Sequence, residues 1–205
     1  MSFNNNIFIN CPFDDQYYPL LRPLLFTVIY LGFVPRIALE RLDSGQPRIQ
    51  KILSLIEQSK YAIHDLSRIQ ARRRGEYFRL NMPFELGIDI GCRLFGNGKH
   101  SNKRCLVLEA KKFRYQIAIS DLSSSDIAVH NNAPEEVVSV VRNWLNTEAR
   151  LSAPGPAKIW GAFIDFMTDN YEVLKARGYS KKNIDHLPVN ELVACMQQWT
   201  SRNTR

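Results

Sequence analysis

Two glycine-rich fingerprints are missing from this chain. It has no Gly-x-Gly-x-x-Gly and no Walker-type loop, which excludes the usual dinucleotide and P-loop nucleotide sites. Its four cysteines, Cys11, Cys92, Cys105 and Cys195, are scattered with no Cys-x-x-Cys pair, so neither a zinc site nor a disulfide framework is indicated and no metal is expected. No run approaches the roughly 20 apolar residues needed to cross a bilayer. The opening Met-Ser-Phe-Asn-Asn-Asn lacks the basic and apolar regions of a signal peptide. A cytoplasmic location with no membrane partner is therefore the expectation. Basic clusters are also scarce. Apart from Arg72-Arg73-Arg74, the residues behind the net charge of +7 are spread out, which argues for a small anionic ligand over nucleic acid. The arginine run itself reads as a solvated loop or as a phosphate contact.

What is present suits one well-buried domain with an appendage: 205 residues, 45% of them hydrophobic and 23% charged. Short apolar runs predict strands at 6–10, 33–39, 61–66 and 104–108, with a short fifth at Tyr115–Ile119. Helical spacing of apolar residues predicts helices at about 17–31, 48–59, 83–95 and 134–149. Strands alternating with helices predict an α/β doubly wound, flavodoxin-like domain over 1–151, its parallel sheet in order 2-1-3-4-5. Ser152-Ala153-Pro154-Gly155-Pro156 reads as a boundary. Beyond it, 157–205 forms a small helical appendage in which Trp160, Phe163, Phe166 and Met167 fall at helical spacing and should be buried.

In such a sheet, ligands bind beyond the carboxyl ends of the strands, where strand order reverses. Asn10, Cys11, Pro12, Phe13 and Asp14 follow the first strand there; His64, Asp65, Ser67 and Arg68 follow the third. The segment Asn81-Met82-Pro83-Phe84-Glu85-Leu86-Gly87-Ile88-Asp89-Ile90-Gly91 opens the next helix. Pro83 suits a first turn, Asn81 a cap, and Glu85 a position in or just after that turn. Asp14, Asp65 and Glu85 are thus expected near one crevice ringed by Phe13, Tyr17, Tyr18 and Phe84. A carboxylate there suits cleavage of a glycosidic bond, stabilising or capturing an oxocarbenium-like sugar. Plainer roles stand beside these. Asp14 can be a turn or cap residue, His64 a hydrogen-bonding core histidine, and Cys11 lacks a histidine at motif spacing to make it a nucleophile.

Ile7-Phe8-Ile9-Asn10-Cys11-Pro12-Phe13, Asp65-Leu66-Ser67 and Phe84-Glu85-Leu86-Gly87-Ile88-Asp89-Ile90-Gly91 together resemble the nucleoside 2-deoxyribosyltransferase and TIR-like superfamily. The resemblance spans about residues 6–150 in element order. It implies a flavodoxin-like sheet and a catalytic glutamate, here Glu85, with Asp65 as the polar residue closing the third strand. It implies cleavage of N-glycosidic bonds in nucleosides, nucleotides or NAD, with the nucleotide as substrate and no cofactor. Several bacterial TIR-like members are anti-phage effectors, which adds a homo-oligomer or an effector-complex protein as expected partners. Asn10, Cys11, Pro12, Phe13, Asp14, His64, Asn81, Phe84 and Asp89 are the substrate-binding candidates. The chain departs from the transferases, which commonly carry Asp-Gly before the glutamate helix, in having a long basic loop at 68–79. A binding or interaction module of the same fold, catalysing nothing, is the alternative.

Overall fold

The first strand sets the two layers. In β1 (Asn6–Asn10), Ile7 and Ile9 point to one face of the sheet, while Phe8 points to the other and meets Ile52, Leu55 and Ile56. Every residue of β1 and of β3 (Tyr61–Asp65) is buried. That is the pattern of strands covered on both faces, and it explains why they read as continuous apolar runs. The computed structural model describes residues 2–40, 45–70, 75, 80–122 and 126–203. The Arg72-Arg73-Arg74 run and most of the 68–79 loop lie outside these residues.

β1 pairs in parallel with β2 (Val34–Ile37) on one side and β3 on the other; β3 pairs with β4 (Arg104–Glu109), and β4 with β5 (Ile127–Val129). The order is 2-1-3-4-5, all parallel, as the alternating pattern predicts, in a flavodoxin-like α/β arrangement. Strand order reverses between β1 and β3. Helices α1 (Tyr18–Tyr30) and α5 (Pro134–Glu148) contribute to one core. On the other face lie α2 (Arg48–Glu57) and α3 (Asn81–Phe95).

The fifth strand is misplaced in the sequence reading. Tyr115–Ile119 belongs to a short helix, α4 (Arg114–Ala118), and its C-cap, and the strand is Ile127–Val129. Tyr115 and Ile119 pack inward one helical turn apart, while Ile117 is exposed. A spacing of four fits a strand's alternation and a helix turn equally well. The helix start is also revised. Leu80 holds the cap position without a side-chain bond and Asn81 is the first helical residue. Pro83 still falls where an amide hydrogen has no intrahelical acceptor, but Glu85 lies in the second turn.

The C-terminal helices α6 (Pro156–Ala176), α7 (Lys181–Asp185) and α8 (Val189–Asn203) extend the core that already holds α1 and α5. Phe26 of α1 stands 5.5 Å from both Phe163 and Phe166 and 5.8 Å from Trp199, ring centre to ring centre. Phe163 and Phe166 are buried as expected; Trp160 and Met167 are half-buried. The 152–156 segment is tied back to α5: Arg142 donates to the carbonyls of Ala153 and Pro154, and Asn146 accepts from the Ala153 N–H. Among the described residues, no helix is long and apolar enough to cross a membrane.

Candidate active site

Four carboxylates are buried among the described residues: Asp65, Glu85, Asp89 and Glu109. Three are matched by partners within the chain. Burying a charge without a partner is costly, so the way each is matched shows its role.

Asp65 closes β3 and is sealed. It accepts from the Tyr17 hydroxyl at 2.6 Å, from the Ser67 N–H at 2.8 Å and from His130 Nε2 at 3.1 Å. The Asn132 N–H donates to His130 Nδ1 at 3.1 Å, which fixes the tautomer with the proton on Nε2. The carboxylate thus ties together the residue before α1, the end of β3 and the turn after β5. Burial, and after it Asp65, push the Tyr17 phenol well above its usual range, so it stays a donor. Tyr17 is therefore a strut and not a stacking surface. Expected to share in the chemistry, Asp65 is fully buried and engaged by three donors of the chain itself.

A second network runs beneath α3. Asn10 Nδ2 donates to the Met82 carbonyl at 2.9 Å and to His64 Nδ1 at 3.0 Å. The proton of His64 then lies on Nε2, 3.2 Å from Asp89 Oδ2. Asp89 Oδ1 is paired at 3.0 Å with Lys103. Lys103 is itself buried and donates to the carbonyls of Ile56 and Ser59 at the end of α2. Burial works to raise the Asp89 carboxyl, but His64 and Lys103 outweigh it and hold it below its usual value. Asn10, His64 and Asp89, expected at the substrate, have their polar groups engaged here in fixing α3. His64, Asp89 and Cys105 also bring ligand-type atoms within 4.8 Å of one another. The positive charge that a metal would supply there is already supplied by the Lys103 ammonium. Glu109, the third matched acid, is held by Arg114 and by the Ala110 N–H.

Glu85 differs from all three. It is 4% exposed, and among the described residues no hydrogen bond or ion pair reaches its carboxylate. Burial pushes its carboxyl up to about 7, only partly opposed by Arg48 at the start of α2. Cys11, next after β1, marks what surrounds it. The thiol is driven well above its usual range by burial, then by Asp65, Glu85 and Asp14. The three acids expected in one crevice therefore all act on one buried atom at the strand edge. Cys11 stays protonated, which removes it as a nucleophile. Asp14 takes the turn role, accepting from the Tyr17 N–H at 3.0 Å, and is paired with Arg68 at 3.2 Å. Pro12 is buried and Phe13 half-buried beside it. Asn81 and Phe84 turn outward to solvent, so Phe84 does not ring the crevice.

A cavity of about 400 Å³ opens beyond the ends of β3, β4 and β5, lined by Gln16, Ser67, Arg68, Gln70, Arg114 and Asn132 among others. That volume is ordinary for a small-molecule site. Glu85 is not in its lining. Asn131 and Asn132 take left-handed backbone angles there, which asparagine tolerates better than most residues. His130, Lys103, Arg114 and Asn132 escape sequence reasoning. The Asn-Asn pair at a strand end is the one local signal that could have marked this turn.

The class that the fold defines is a flavodoxin-like α/β protein. No protein-family model matches the chain, and no curated protein or solved structure matches it.

Proposed function

We propose that the chain is an N-glycosidase acting on a nucleotide-type substrate, NAD among the candidates, with Glu85 as the catalytic residue. One observation carries this reading: of four buried carboxylates, Glu85 alone has no hydrogen bond or close ion pair from the described residues, and Arg48 offsets its burial only in part. An oxocarbenium-like sugar brings the positive charge that the fold withholds. A carboxylate largely withdrawn from water and left unpaired gains more from that charge in the transition state than in the ground state, which is the condition for catalysis. Attack on the sugar carbon by water, or by the carboxylate and then water, breaks the carbon–nitrogen bond and releases the base. Defence against phage, implied by the resemblance, is the biological setting this reading suggests.

The test is release of free base from NAD, nucleosides and nucleotides by the purified chain, alone and with candidate activators. Glu85→Gln should lower kcat on the order of 10²-fold or more while leaving substrate binding largely intact. Full turnover by a folded Glu85→Gln protein refutes the mechanism.

A second reading has its own support. The cavity does not include Glu85, and its amide and guanidinium lining suits a polar small molecule. A sensor that binds a nucleotide signal without cleaving it would show saturable binding and no base release.

A further inference from the structure

The outer side of α3 is a face that the packing of the described residues does not use. Leu80, Phe84, Leu94 and Phe95 are 66%, 60%, 67% and 86% exposed. Gly87 and Gly91 lie between them on the same line. At about 100° per residue, these six positions fall within roughly 100° of the helix circumference. Met82, Glu85, Leu86 and Asp89, the buried residues, are on the opposite side.

The two glycines are not required by the fold. A Cβ at Gly87 would meet nothing within 4 Å, and one at Gly91 would meet only the ring of Phe95 at 3.9 Å. Neither has a positive φ. Each nevertheless weakens the helix relative to alanine, by roughly fivefold in the folding equilibrium. Glycines one turn apart on an exposed apolar face leave a shallow notch where another helix can approach closely.

We propose that this face joins two copies of the chain, their α3 helices crossing antiparallel at Gly87 and Gly91. The sequence is self-complementary about Asp89. A two-fold axis at that level sets Gly87 against Gly91 of the second copy, and sets Phe84 against its Leu94, because both pairs are centred on the same residue. Each copy then offers bulk at both ends and a notch in the middle, as an interface between identical surfaces requires.

Electrostatics favour the same arrangement. Antiparallel helices place opposite dipole ends together. Between 80 and 95 the acids, Glu85 and Asp89, are buried, and Arg93 is the one basic residue. The two copies of Arg93 would stand roughly 12 Å apart along the axis, beyond the screening length in physiological salt. The area is also sufficient. At the exposures given, the four large side chains present about 500 Å² per copy, so they alone bury on the order of 1,000 Å², near the lower bound for a specific interface. The proposal does not depend on whether Glu85 acts on a substrate.

The test is sedimentation of the full chain at concentrations up to about 200 μM, where an interface of this size should be populated. Wild-type chain should associate to a dimer. Phe84→Glu should weaken that association by about tenfold or more. Gly87→Ala with Gly91→Ala should weaken it too, yet raise the melting temperature of the dilute monomer, a pair of opposite effects that a purely intramolecular role does not produce. A chain that remains monomeric throughout, as it would if a different protein covered this face, overturns the proposal. So does a dimer untouched by both variants.

Discussion

Replacing Glu85 by glutamine should stabilise the protein, but only above the pH at which Glu85 ionises. The carboxyl is raised from 4.5 to about 7, chiefly by burial. Its folded pKa therefore lies above its unfolded value, so the folded state binds the proton more tightly. The stability associated with that proton is fully present below about pH 4.5 and is lost as the pH rises through about 7. The shift corresponds to about 3 kcal/mol between these limits. Glutamine has no proton to lose. The advantage of Glu85→Gln over the wild type should therefore grow by up to about 3 kcal/mol between pH 4.5 and 8, which for a chain of this size is roughly 6–10 °C in Tm. Any fixed cost of burying the amide cancels between the two pH values. Thermal melts of both proteins across this range decide it. Parallel curves would show that Glu85 is solvated or paired, and would remove the premise of the proposed chemistry.

Two further outcomes follow from the packing. Lys103→Met leaves the Asp89 carboxylate buried without its cation and should cost about 3–5 kcal/mol in urea unfolding; adding Asp89→Asn should recover part of the loss. Phe166→Ala opens a cavity beneath Phe26 and should cost about 3–5 kcal/mol, which tests whether the C-terminal helices belong to the same cooperative core.

The sheet was legible because its signals are local. Asn6–Asn10 and Tyr61–Asp65 are five-residue strands with apolar centres, and the segments between them carry helix spacing, so alternation gave element order and with it strand order. The fifth strand was not legible: Ile127–Val129 is three half-buried residues at a sheet edge, shorter than any periodicity can register. The candidate site was half legible. Position at the strand ends picked out Asp14, Asp65 and Glu85. It could not tell a satisfied carboxylate from an unsatisfied one, because the donors come from far along the chain. His130 lies 65 residues from Asp65, and Asn10 lies 72 from Met82. Asp65 and Glu85 look alike in sequence, and only three-dimensional pairing separates the bonded carboxylate from the one without a bond from the described residues.

That pairing also explains how Glu85 can be held with no hydrogen bond from the described residues to its carboxylate. The two points at which the buried network grips α3 are the Met82 carbonyl and the Asp89 carboxylate, one turn before Glu85 and one turn after it. Residues three before and four after share a helix face, so both grips lie on the side from which Glu85 projects. The backbone of that turn is fixed from each end, and the intervening carboxylate is placed by the helix itself. A bond made directly to the carboxylate would position it equally well but would stabilise its charge before any substrate arrived, lowering its pKa toward that of Asp89. Preorganisation with the charge left unsatisfied needs anchors that bracket the residue and leave it free. Asn10, His64, Asp89 and Lys103 bracket Glu85 in this way, and the proposed chemistry needs no more of them than that.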